Sequence, residues 1–234
     1  ADGIWYGIFH SVSAFCNAGI DLMGYFEPGS SMATAGTNVL VNLTLIFLIT
    51  IGGLGFYVWS DVVEQGARFK KYRLHTKLVL VTSLVLLVGG AIAVYFLARR
   101  CATMENASGG GRILYALFQS ATCRTAGFSS MDLSALGDSA KGLMICLMLV
   151  GGSPGSTAGG LKTTTLAVLV LSIVAVFRKR KSVECFGRRI DEDILHNACC
   201  VLMLYLLLLA FFSILIAGLD NIPLVDAMFE TGSA

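Results

Sequence analysis

Two stretches of this sequence place similar residue types in the same order: Phe9-His-Ser-Val-Ser-Ala-Phe-Cys-Asn-Ala-Gly19 and Leu117-Phe-Gln-Ser-Ala-Thr-Cys-Arg-Thr-Ala-Gly127. Each runs from an amphipathic segment with an aromatic residue, through small polar residues, to an Ala-Gly pair. The chemistry open to such a loop lies in its backbone. A non-helical stretch such as Asn17-Ala18-Gly19 leaves carbonyl oxygens free of helix bonding, and rings of such oxygens can replace the water around a cation. Glycine has no Cβ and lets the chain turn a carbonyl inward. One such glycine alone reads as an ordinary tight turn. The repetition carries the inference. A third copy begins at Phe229-Glu-Thr-Gly-Ser-Ala234.

Other chemistries lack their residues. His10, His75 and His196 lie far apart and form no ligand set. The seven cysteines, Cys16 among them, show no metal or disulfide spacing and read as small buried hydrophobes. His10 beside Ser11 and Ser13 is the nearest approach to a nucleophile–base pair, and it falls within the repeated amphipathic pattern. No enzyme and no bound cofactor are expected. The stretch Gly155-Ser-Thr-Ala-Gly-Gly160-Leu-Lys162-Thr163 imitates a phosphate-binding loop, but that motif needs Lys directly after the second Gly. Here Leu161 intervenes and no strand precedes. The net charge of +2 offers no basic face for nucleic acid.

The elements that hold the repeated loops must be membrane helices. Hydrophobic residues fill 56% of the 234 positions and charged ones only 14%, against about 25% charge in a soluble domain. Lipid must cover the difference. A spanning helix needs about 20 apolar residues. Residues 39–60, 78–98 and 194–219 satisfy this, the first with its glycines tolerated. The stretch 143–177 is apolar at both ends, but Gly151, Gly152, Ser153, Pro154, Gly155, Ser156, Thr157, Ala158, Gly159 and Gly160 interrupt it. At about 1 kcal/mol per Gly and 3 per Pro, no helix continues through them. The segment reads as a span broken at mid-depth. Lys162, just beyond the break, is an ionisable group at membrane depth, poised to bond loop carbonyls or a half-helix end, or to snorkel to the interface. Arg124, beside the second Ala-Gly loop, reads as a strut behind it, because a bare cation in the path would repel other cations.

The segments around Trp5–Phe15 and Arg112–Cys123 are too short to cross and read as re-entrant half-helices. Their C-terminal ends, partly negative, favour a cation. Eleven of the 17 basic residues fall in two short loops, 68–77 and 178–189, which places those loops in the cytoplasm and residues 20–37, 98–112 and 128–141 outside. Both Ala-Gly loops then enter from outside after spans of the same direction. Parallel repeats around one axis fit this better than the inverted repeats common in alternating-access carriers. That alternative remains the second reading, and a membrane-embedded enzyme is the third.

The strings FHSVSAFCNAG, TCRTAGF and GGSPGSTAGGLKTTT resemble the Trk/Ktr/HKT superfamily of potassium transporters, and the last looks most like the bacterial Ktr-type membrane subunit. The resemblance implies an all-α integral membrane fold in which span–pore-helix–filter–span units surround a single pore, in the cell membrane. On that pattern residues 1–66 carry the pore helix, filter and inner helix of a second repeat. Residues 67–187 form a third repeat with a broken inner helix, and 188–234 the outer helix and pore helix of a fourth. The opening Ala-Asp-Gly, without a start Met or signal pattern, agrees with an excerpt. Cys16, Asn17, Ala18, Gly19 and Ile20 would then be filter residues of the second repeat, with Cys16 where many relatives have Asn. Thr125, Ala126, Gly127 and Phe128 would be those of the third, binding K⁺ through carbonyls. Residues 151–160 with Lys162 match the loop that obstructs the pore in the family. The resemblance also implies a homodimer in the bilayer, seated on a cytoplasmic ring of nucleotide-binding regulatory subunits.

The charge pattern makes a direct prediction. With reactive native cysteines removed, a cysteine near Gly109 should react with an impermeant thiol reagent added to intact cells, and one at Ser182 should not. The reverse pattern would overturn the orientation.

Overall fold

A computed structural model describes residues 2–25, 31–133, 135–180 and 182–234; Lys181, one of the expected cytoplasmic cations, lies outside the described residues. Among the described residues the fold is all-α apart from one hairpin. Half-helix α1 (Asp2–Phe15) is followed by α2 (Val39–Leu54) and α3 (Phe56–Gln65). Then come α4 (Leu74–Leu97), the single turn α5 (Ala102–Glu105) and half-helix α6 (Gly109–Thr122). The broken span supplies α7 (Asp138–Leu149) and α8 (Thr163–Phe177), and α9 (Glu192–Asp220) leads to α10 (Leu224–Ser233). Among the described residues, α4 and α9 are each long and apolar enough to cross a membrane; α2 and α3 together would make a third span.

Helix α6 lies at the centre. Residues Leu114–Ala116 and Phe118–Thr122 are all buried, so this short helix is covered on nearly every face. One cluster joins it to α4 and α7 through Val94, Tyr115, Ala116, Ala140, Met144 and Leu147. Another joins it to α1 and α2 through Ala14, Leu45, Ile46, Ile49, Phe118 and Ala121. Its polar residues face helices rather than water. Ser120 donates to the Leu87 carbonyl on α4 at 2.8 Å, and Gly90 makes room for it: a Cβ there would run into the Ser120 hydroxyl and come within 3.3 Å of Leu147. At the start of α2, Asn38 caps the helix by accepting from the Leu40 and Val41 amides. Asn42, itself buried, donates to the carbonyls of Ala35, Gly36 and Asn38. The Lys141–Asp226 ion pair, at 2.6 Å, ties α7 to α10. Outward faces of α4 and α9 are apolar and exposed, with Leu84, Phe96, Leu207 and Phe211 among them, as lipid contact requires.

The structure departs from three sequence expectations. The span expected over 39–60 is not continuous: α2 and α3 meet at 94°, about Gly55 at φ +88°, and the next subsection shows what stabilises the bend. The cysteines are not uniformly buried. Cys101 and Cys123 are, whereas Cys16, Cys146, Cys199 and Cys200 are exposed and Cys185 is intermediate; a thiol is apolar enough to stand on such surfaces. The basic connection after α8 is also structured. Strands β1 (Glu184–Cys185) and β2 (Arg188–Arg189) pair antiparallel around Phe186-Gly187, both at positive φ, the geometry of a tight type I′ hairpin.

Gly90→Val should overpack the α4–α6–α7 contact at a cost of about 2 kcal/mol. Thermal unfolding of the detergent-solubilised protein should shift down by several degrees. Gly89→Val, at a position where a Cβ meets nothing within 4 Å, should leave it nearly unchanged. Equal shifts would contradict the packing described.

Candidate permeation site

Helix α1 ends at Phe15 and α6 at Thr122, and both chains then take the same unusual path. Asn17 sits at φ +50° and Gly19 at +67°; Thr125 sits at +67° and Gly127 at +87°. In each loop an alanine separates two positive-φ residues. Such conformations are unfavourable for residues with a Cβ, so Asn17 and Thr125 are held there by their surroundings. Backbone bonds do part of this. The Ala18 amide donates back to the Ser13 carbonyl at 2.9 Å, and the Ala126 and Gly127 amides both donate to the Thr122 carbonyl.

The two loops meet backbone to backbone. A Cβ on Gly19 would run into the Ala126 carbonyl and lie 2.8 Å from the Gly127 Cα, and a Cβ on Gly127 would lie 3.2 Å from the Gly19 Cα. Only glycines allow this approach. Past the loops, hydroxyls from the half-helices hold the chain: Ser13 donates to the Ile20 carbonyl at 2.7 Å and Thr122 to the Phe128 carbonyl at 2.6 Å. Those two carbonyls, filter candidates by resemblance, are therefore engaged by protein. His10 uses both ring nitrogens on backbone. Nδ1–H donates to the Tyr6 carbonyl at 2.7 Å, and Nε2 accepts the Leu22 amide at 3.3 Å, which fixes a neutral tautomer and a structural role.

Asn17, Ala18, Thr125, Ala126 and Gly127 line one cavity of about 900 Å³. Gly159 and Gly160 of the glycine-rich stretch line it too, as do Tyr205 and Phe212 of α9 and Glu230 of α10. Cys16 and Gly19 are not among its lining residues, and the Cys16 side chain is exposed. The contributions of α9 were not foreseen from sequence, since an apolar spanning helix gives no sign of which face meets a cavity. Glu230, inside the third repeat copy, is a carboxylate at the cavity wall. Arg124 does not reach in. Buried, it turns to α4, where it donates to the Ser83 carbonyl and hydroxyl at 3.2 and 3.3 Å.

The glycine-rich stretch is not a slack loop. Its ends pair with each other: the Gly151 amide donates to the Leu161 carbonyl at 3.0 Å, and the Leu161 amide to the Leu149 carbonyl at 3.0 Å. The Ser153 and Thr163 hydroxyls meet at 2.8 Å. Its middle lies on the end of α2. The Ser153 amide donates to the Gly53 carbonyl at 2.9 Å, the Thr157 amide to the Gly52 carbonyl at 3.4 Å, and the Gly155 carbonyl accepts the Phe56 amide at 3.0 Å. That last bond satisfies the amide exposed by the bend at Gly55, where a Cβ would lie 2.6 Å from the Pro154 carbonyl. Ala158 is buried at the turn. Lys162 folds back to donate to the Ala158 carbonyl at 2.8 Å, so of the two roles open to it from sequence the ammonium takes the carbonyl-bonding one. Ser156 is the exception in this network, its hydroxyl buried without a partner, as are the Asn17 amide and Thr125 hydroxyl among the described residues. No group of three or more acidic, His or Cys side chains is placed to hold a metal among the described residues. What the site offers a cation is carbonyl dipoles, a few neutral polar groups and one nearby carboxylate.

Comparison with known proteins agrees in extent and architecture. The family described as TrkH, cation transport protein, matches residues 2–234. A potassium/sodium uptake protein NtpJ from Enterococcus hirae is 38% identical over 238 aligned residues, covering 100% of this chain and 51% of that protein. A Ktr system potassium uptake protein B from Vibrio alginolyticus is 36% identical, covering 99% and 50%; its Bacillus subtilis counterpart is 34% identical, covering 100% and 52%. The chain thus spans about half the length of the curated relatives it matches. The crystal structure of the potassium transporter TrkH from Vibrio parahaemolyticus shares the fold at a TM-score of 0.71 and 19% identity, covering 91% of this chain and 45% of that one. With a match across its whole described length, this chain is an integral membrane protein that belongs to the TrkH family of cation transport proteins.

Proposed function

We propose that this chain forms part of a potassium uptake pore, with Asn17–Gly19 and Thr125–Gly127 as two of its filter segments and residues 151–160 as a gate. The single observation that carries the reading is the shared cavity: two repeat-related loops and the glycine-rich stretch, remote in sequence, line one space. The names of the relatives, potassium or potassium/sodium uptake proteins, supply the ion.

The filter reading rests on backbone geometry. In ordinary extended chain, successive carbonyls point to opposite sides; a switch to positive φ at alternate residues brings neighbouring carbonyls toward one side. Asn17-Ala18-Gly19 and Thr125-Ala126-Gly127 both have this alternation. Carbonyls so arranged can stand in for the hydration shell of K⁺. The C-terminal ends of α1 and α6 add partial negative charge, and Glu230 on α10 adds a full one. Passage is channel-like, through parallel repeats, with the loops entering from outside and the basic segments 68–77 and 178–189 in the cytoplasm. The three units 1–66, 67–187 and 188–234 follow the repeat boundaries. By the same family logic the complete protein pairs as a homodimer and meets a cytoplasmic nucleotide-binding ring.

The gate reading rests on position and bonding. Gly159 and Gly160 reach the cavity that the filter loops line while Ser153 and Thr157 rest on α2. These few hydrogen bonds, at about 1 kcal/mol net each, define a closed placement that a regulatory partner can outweigh by binding the open one better.

Two experiments test the two halves separately, both in the complete protein. Gly127→Ser should fold yet lose preference for K⁺ over Na⁺ in competition uptake, because its positive φ disfavours a side chain and a Cβ 3.2 Å from the Gly19 Cα would push the two loops apart. An unchanged preference in a well-inserted variant removes Gly127 from the filter. Deleting about half of residues 151–160 should raise initial K⁺ uptake per inserted protein and make it independent of the regulatory ring. Normal insertion with unchanged rate and unchanged regulation would sink the gate.

A further inference from the structure

The hydroxyl of Thr157 lies 3.0 Å from the Phe15 carbonyl and 3.2 Å from the Gly52 carbonyl, and donates its one proton across the two. Phe15 is the last residue of α1, directly ahead of Cys16 and the first filter loop. The preceding carbonyls of that helix end are already taken: Val12, Ser13 and Ala14 accept from the amides of Cys16, Ala18 and Asn17. The Phe15 carbonyl is thus the orphan group that every helix C-terminus leaves, and here the donor comes from the glycine-rich stretch of another repeat. The approach is built in. Gly52 stands where a Cβ would run into the Phe15 carbonyl and come within 3.2 Å of the Thr157 hydroxyl. Thr157 itself is exposed, so its hydroxyl is not there to fill a core.

We propose that Thr157 couples gate to filter. With the glycine-rich stretch in place its hydroxyl caps the last carbonyl of α1, and when the stretch leaves, that carbonyl loses its donor and the start of the filter loop is freed. The inference rests on the gate reading above and adds a direct link from the gate to the second repeat's filter. The bond contributes to the closed placement, so its loss favours opening. It also fixes the residue directly before the filter loop. Loss of the bond therefore changes how that loop receives an ion even when the gate is shut. Only the hydroxyl can make this link. Valine has the shape of threonine without the donor, and serine keeps the donor without the methyl.

The test uses the complete protein in cells without other potassium uptake, with and without the regulatory subunit, normalised to inserted protein. Thr157→Val should raise uptake without the subunit about five-fold, the effect of one net hydrogen bond, and should shift Na⁺ competition against K⁺. Thr157→Ser should restore both to the parent values. A Val variant with unchanged uptake overturns the coupling. Increased uptake with unchanged ion preference overturns it as well, since Thr157 would then touch the gate alone. Equal effects of Val and Ser would show that shape rather than the donor matters, and the coupling would fall on that result too. Because Thr157 is exposed, both variants should insert; should Val fail, Thr157→Ala against Ser gives the same comparison. The loop deletion distinguishes the levels of failure. If shortening 151–160 raises uptake and Thr157→Val does not, the gate stands and the coupling falls. If shortening changes nothing, the gate reading itself fails.

Discussion

Every backbone amide and carbonyl at membrane depth must find a partner, inside the protein or in a wet cavity, and the rest of this structure depends on that constraint. An unpaired group in hydrocarbon costs several kcal/mol, so a helix cannot break there unless something else arrives. Two spans of this chain break, one at Gly55 and one across residues 151–160, and each supplies what the other lacks. The Phe56 amide, freed by the bend, goes to the Gly155 carbonyl; the Gly52 and Gly53 carbonyls, left over at the end of α2, take the Thr157 and Ser153 amides. Glycines stand on both sides because only bare backbone lets two chains approach closely enough. Neither break would be tolerable alone.

The same constraint explains why α6 can be short and still lie deep in the protein. A half-helix in a membrane has two unsatisfied ends and a polar terminus to hide. At one end Ser108 caps it by accepting the Gly111 amide at 3.2 Å. At the other, Thr122 turns its hydroxyl to the Phe128 carbonyl, and Arg124 anchors to Ser83 on α4. Burial of a guanidinium is costly unless its donors are used. Bonding Ser83 on α4 behind the loop uses both terminal nitrogens, though not Nε, and keeps the charge out of the cavity. The positive-φ residues Asn17 and Thr125 represent stored strain, sustained by close packing of Gly19 on Gly127 and by the hydroxyl struts behind.

Much of this was legible in the residues, and what was not has a physical reason. The half-helices, the repeated Ala-Gly loops and the broken third span could be read because composition reports them directly: small residues, glycines and a proline cannot make a membrane helix. The bend at Gly55 could not. Gly52-Gly53-Leu54-Gly55 is apolar, and a tolerated set of glycines looks the same in sequence as a break; what decides is the arrival of Gly155 from far along the chain. The loop's composition likewise suggested little internal order, yet its bonds are mostly to other elements, which no local pattern encodes. Nor does periodicity reveal that Tyr205 and Phe212 face a cavity while Leu207 and Phe211 face outward, since all four are apolar. The Cys185-Phe-Gly-Arg188 turn carried only a single glycine as its signal.

The repeats are alike in backbone and unlike in side chains, and that difference locates the asymmetry of the site. The two Ala-Gly loops share their φ pattern, so the part of the cavity wall they form can be close to symmetric. Behind them the positions diverge: where the second repeat has His10, bonded through both nitrogens to backbone, the third has Phe118, fully buried in the apolar cluster. Where the second has Phe15, capped by Thr157, the third has Cys123, buried. A loop arriving from one repeat can bind only where a neighbour leaves carbonyls open, and here the α1–α2 corner does so, with Gly52 and Gly53 bare beside it. One loop seated on one corner is enough to bring Gly159 and Gly160 to a cavity that both Ala-Gly loops line. Similar repeats therefore do not require similar contacts: what seats the loop is one corner built of glycines, and one loop with the hydroxyls and amides to fill it.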